Sequence, residues 1–107
     1  MNDAKRELAR CSDFDVGIED HGMFFLYGQF TGDGWGQGFG HVPDPTFIKK
    51  FLGVFRKARL QSIEGLACWI THTHDRILLV EPLFPSEGTP FDVKQWSDNL
   101  KEEASIQ

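Results

Sequence analysis

Cysteine, tyrosine and long apolar runs are scarce in this sequence, and positive charge is missing from a third of it. The two cysteines, Cys11 and Cys68, form neither a CxxC motif nor the even framework of a disulfide-stapled domain. The longest apolar stretches, Met23–Tyr27 and Ile77–Val80, fall far short of the roughly 20 residues a helix needs to cross a bilayer. The opening MNDAKRELARC is charged throughout and has no apolar segment of the kind a secretion signal carries. A cytoplasmic protein is expected. No Walker loop, HExxH or nucleophile elbow occurs. Asp20 and His21 are adjacent, so their side chains point apart and form no dyad. The expectation is no enzyme and no cofactor.

What is present suits one α+β domain over residues 1–107, with residues 1–12 and 103–107 expected to fray or, over Asn2–Arg10, to form a short helix. Hydrophobic residues make up 40% and charged residues 25%, which is ordinary for a globular chain. Ten Phe stand against one Tyr, and Phe fills cores without a polar handle. Net charge is −5 but unevenly spread. Between Asp13 and Asp44 there are six carboxylates and no Lys or Arg, and then Lys49, Lys50, Arg56, Lys57 and Arg59 follow in one basic block. That block offers a nucleic-acid patch as an alternative function, and equally a charge match that helps a helix dock on an acidic sheet.

Phe14, Val16 and Ile18 alternate with polar residues, the period of a half-buried strand. Met23–Phe30 reads as a second strand, apolar on both faces, after a turn at Asp20-His21-Gly22. Gly34–His41 places glycine at every second position, so one strand face would be bare backbone and the other would carry Trp35, Gln37, Phe39 and His41. A glycine row lets another group lie close to a sheet. Asp44 and Pro45 mark a helix start, and Phe47, Ile48, Phe51, Leu52 and Phe55 make its apolar stripe, running to about Ala58. Ala67–Thr73 and Arg76–Glu81 read as a hairpin turning near His74-Asp75. Asp92 with Gln95, and Phe91 with Trp96, match a capping box and a hydrophobic staple. The expected architecture is an antiparallel sheet of about five strands (β-β-β-α-β-β) with one helix packed on a face and a short C-terminal helix.

Three sites are singled out. The Trp35/Gln37/Phe39/His41 face, with Asp20 and His21, is a candidate protein-binding surface, although strand parity leaves open whether those aromatics lie in the core or outside. Cys68, His72 and His74 share a face of one strand, which makes a metal site a second alternative. The basic block is the third.

The segments Ile18-Glu19-Asp20-His21-Gly22, Gln37-Gly38-Phe39-Gly40, Phe47-Ile48-x-x-Phe51-Leu52-x-Val54 and Leu66 with its following hairpin resemble a set of small phage and prophage proteins without assigned activity. The likeness covers residues 14–82 and rests mainly on EDHG paired with QGFG; His41 departs from it where a further glycine is expected. It implies an accessory protein that acts in the bacterial cytosol by binding a host or phage protein, including inhibitors of the anti-CRISPR or anti-restriction kind. It leaves the oligomeric state open, a homodimer included.

Overall fold

The computed structural model describes residues 4–18, 21–41 and 44–106, the side chains of His41 and residues 102–106 excepted. Six antiparallel strands form one sheet: β1 (Lys5–Ile18), β2 (Phe24–Gly32), β3 (Trp35–His41), β4 (Ala67–His72), β5 (Ile77–Pro82) and β6 (Phe91–Asp92), in spatial order β3-β2-β1-β4-β5-β6. Two helices complete it, α1 (Pro45–Gly53) and α2 (Val93–Ile106). The α+β class and a helix-covered antiparallel sheet are as expected; the sixth strand is a two-residue bridge leading straight into α2.

The N-terminal segment corrects the sequence reading. Lys5–Ser12 is neither helix nor frayed end but the first half of β1, paired with β2 on one side and β4 on the other. Ala9 and Cys11 point inward and are buried, whereas Arg6, Leu8 and Arg10 face out. A bulge then reverses the parity. Ser12 pairs with Gln29 and Asp15 with Tyr27, which leaves Asp13 and Phe14 together opposite Gly28. Asp13 takes φ 59°, the left-handed conformation usually left to glycine, and its N–H donates to Glu64 Oε1 at 2.8 Å. The extra residue lets Ala9 and Cys11 before it, and Phe14 and Val16 after it, all face the core.

Gly28 explains how the bulge packs. A Cβ built on it would lie 2.7 Å from Phe14 Cδ2 and nearer still to Cγ and Cδ1, so the Phe14 ring sits on bare backbone. On its other side that ring meets Phe51 at 5.0 Å and Phe30 at 5.3 Å between centroids. The aromatic core continues through Phe39, Phe47 and Phe91. Burying each such side chain contributes roughly 1.5–3 kcal/mol.

Asp44 caps α1 by accepting from the N–H groups of Thr46 (2.8 Å) and Phe47 (3.2 Å). The helix stops at Gly53 rather than near Ala58. The Lys57 N–H reaches back to the Leu52 carbonyl at 3.2 Å, and Arg56 adopts φ 52°, a Schellman-type ending with arginine where glycine is usual. At α2, Asp92 accepts from the Gln95 N–H at 2.9 Å, the N-cap half of the expected capping box, and Phe91 packs edge-on against Trp96 as the staple predicts.

Candidate functional site

β3 alternates as expected, and its side-chain-bearing face is the inner one. Phe39 is only 7% exposed, with the rings of Phe14, Phe30, Phe47 and Phe51 around it. It is a core residue, so the continuous Trp35-to-His41 contact surface expected from the sequence is not open. His41 ends β3, and Asp20 lies outside the described residues. His21 is exposed in the β1–β2 turn.

Trp35 and Gln37 instead meet a residue from across the sheet. The sheet curls so strongly that Trp35, on the edge strand, stacks on His72 of β4 at 4.3 Å and 20° between planes. The indole reaches across by lying over Gly32, whose missing Cβ would overlap its Nε1. His72 Nδ1 sits 2.6 Å from Gln37 Oε1, and Nε2 sits 2.6 Å from Glu7 Oε2. Either orientation of the Gln37 amide serves that contact, as donor or acceptor. Glu7 of β1, His72 of β4 and Gln37 of β3 thus tie three strands together at the end of the inner face that α1 leaves uncovered. Lys5, Asp33, Thr73 and His74 complete the rim of a cavity of about 650 Å³. Glu7 had no signal in the sequence, because its segment read as helix or loose end.

The metal reading loses its geometry. Cys68 is wholly buried beside Cys11, His72 has both ring nitrogens engaged, and His74 is exposed in the hairpin turn. Among the described residues no three His, Cys, Asp or Glu side chains converge on a common point. The hydrogen bond to Cys68, with burial, pushes the Cys11 thiol far above its ordinary range, so it is no nucleophile at neutral pH.

The basic block is exposed throughout but divided. Lys49 and Lys50 of α1 border a cavity of about 540 Å³ shared with Asp92, Gln95 and Trp96, whereas Arg56, Lys57 and Arg59 follow the helix. An acidic residue inside the cavity breaks the continuous positive surface that backbone phosphates favour.

The end of the β1–β2 hairpin carries a separate exposed cluster. β3 stops opposite Leu26, so Phe24 and Phe25 extend past its last pair. Ile18 is 68% exposed, Met23 62%, Phe24 52% and Tyr27 45%. Ile18 and Phe24 pair across the hairpin on the inner face; Phe25 and Tyr27 occupy the outer face, their rings 6.1 Å apart. The outer glycines of β3 make room for Tyr27: a Cβ on Gly38 would lie 3.0 Å from its Oη, and one on Gly40 3.3 Å from its Cδ2. No helix among the described residues is long and apolar enough to cross a membrane. No family model, curated protein or solved structure matches this chain.

Proposed function

We propose that this protein is a non-enzymatic binding module, an accessory protein of phage or prophage type that engages a folded host protein in the bacterial cytosol. The observation that carries the reading is the exposed apolar end of the β1–β2 hairpin. Each large apolar side chain left in water forgoes roughly 1.5–3 kcal/mol that burial would return. Three such residues, Ile18, Met23 and Phe24, gathered where the hairpin extends past β3 mark a contact surface. The partner's chemistry follows from the charge pattern. The stretch holding these residues carries six carboxylates and no cation, and exposed Asp15 stands three residues before Ile18. The fitting partner offers an apolar groove bordered by Lys or Arg, which speeds encounter as well as matching charge.

A photo-reactive phenylalanine analogue placed at position 24, and at exposed Phe84 as a remote control, tests this in bacterial lysate. A discrete adduct is expected from position 24 alone. The adducted protein, once purified, should bind the unaltered chain and lose at least about 100-fold in affinity for the Ile18→Glu/Phe24→Glu variant, as loss of central apolar anchors implies. Equal adducts from both positions, or unchanged affinity, would remove the hairpin end from the account.

A further inference from the structure

We infer that the free edge of β3 accepts an extended segment of a partner protein as a seventh strand, read chiefly through main-chain hydrogen bonds. The inference rests on the binding-module reading but uses a different surface from the hairpin end. It begins from register. β2 and β3 are joined by the two-residue turn Asp33-Gly34, with Gly34 at φ 77° and Gly32 paired to Trp35. In such a hairpin the pair closing the turn exchanges hydrogen bonds, and alternate pairs thereafter do the same. Trp35, Gln37 and Phe39 therefore direct their N–H and C=O groups toward β2. Gly36, Gly38 and Gly40 direct theirs to the other side, where the sheet has no further strand among the described residues.

Every edge-facing residue of β3 within that run is thus a glycine, and all three are exposed. Edge strands are commonly guarded by lysine, proline or a bulge. β3 has no such guard: Trp35–His41 contains no Lys, Arg or Pro, and the bulges of this sheet lie between β1 and β2 and between β4 and β5. The opposite edge differs. There β6 is two residues long and turns directly into α2.

The surroundings of the edge select the occupant. Gly38 and Gly40 form one wall of a groove of about 330 Å³ whose other wall is Arg76 and Ile77 of the β4–β5 hairpin with Val93 and Ser97 of α2. A groove with a second wall suits a single extended chain better than the broad edge of another folded sheet. Ile77 and Val93 are nearly covered, so the wall an incoming strand meets is Asp75, Arg76, Ser97 and Lys101, which favours polar side chains at alternate positions, and the Tyr27 ring over Gly38 and Gly40 favours apolar ones between them on the outer face.

The test selects linear peptides of about ten residues, long enough to span β3 at strand rise, from a random displayed library against the whole protein. Enriched peptides should carry apolar residues at alternate positions. Binding one of them should slow amide exchange at Gly36, Gly38 and Gly40 by at least about tenfold, the mark of newly formed strand bonds. Gly38→Pro removes an edge N–H where proline is tolerated, and should weaken peptide binding at least about tenfold. Gly36→Pro does the same where the nearest side-chain atom, Thr31 Cγ2, would be 3.7 Å from the new Cβ. Phe24→Glu should leave peptide binding intact, so failure at the edge and failure at the hairpin end are separable. The inference is overturned by a library that yields no binder, by binders that leave glycine exchange unchanged, or by a free protein in which self-association already protects those amides. If a proline variant unfolds, the exchange pattern of the unaltered protein decides.

Discussion

Replacing Gly28 by Ala probes the packing on which the N-terminal half of the sheet depends. The new methyl would fall within the van der Waals envelope of three Phe14 ring carbons, and the ring cannot retreat, because Phe30 and Phe51 hold its other side. Overpacking of this kind costs about 1–3 kcal/mol, and the rigid surroundings place Gly28→Ala near the upper end. Phe14→Ala alone should cost about 3–5 kcal/mol through the cavity it leaves. The informative molecule is the double variant. With the ring gone, the methyl introduced by Gly28→Ala has space, so the pair should be no less stable than Phe14→Ala alone. Independent sites would instead sum to within about 0.5 kcal/mol. Urea unfolding followed by circular dichroism gives all three values, and thermal midpoints should fall by about 4 °C for each kcal/mol lost. Additive losses would refute the placement of Phe14 over Gly28 and the bulge that brings it there.

Arg56→Gly removes a left-handed strain at the end of α1 and should stabilise the protein by up to about 1 kcal/mol in the same assay, the glycine's greater freedom when unfolded offsetting part of the relief. His72→Ala should cost about 1–3 kcal/mol, since Gln37 and Glu7 lose a shared partner and Trp35 its stacking surface; a nitrogen-15 spectrum should show the largest shifts at Trp35 and Gln37. Cys11 is protonated in the fold well beyond its ordinary value of 9.0, so the unfolded chain holds fewer protons above that pH. Stability should therefore be level below about pH 8 and fall as pH rises past 9, by roughly 1.4 kcal/mol per unit from this thiol, and Cys11→Ala should flatten the slope. Denaturant titrations between pH 8 and 10 check the sign.

Much of this fold is legible in the chain because its signals are local. The Asp44-Pro45 start of α1, the Phe47/Phe51/Leu52 stripe and the Asp92–Gln95 box each act through neighbours a few residues away. The first half of β1 was hidden for a physical reason. Apolar Leu8 faces out while charged Lys5 and Glu7 face in, and the bulge at Asp13 breaks the period-2 rhythm that would have joined Ala9 and Cys11 to Phe14 and Val16. The end of α1 was overestimated because Phe55 extends the stripe although the backbone has already turned at Gly53–Arg56. The candidate site divides in the same way. Alternation made Trp35, Gln37 and Phe39 a common face, but which side of a sheet a helix covers is a tertiary choice that no strand records. Glu7, Gln37 and His72 come together only because the sheet curls, a long-range outcome of twist and of the glycines that admit Trp35 and Phe14.

Residue-resolved amide exchange on the dilute, free protein tests most directly whether this molecule carries an unfinished sheet for others to complete. Gln37 and Phe39, bonded to β2, should be protected at least about tenfold more than Gly36, Gly38 and Gly40 between and beside them. Protection of the glycines in a monomeric sample, or protection without alternation along β3, would contradict an open edge.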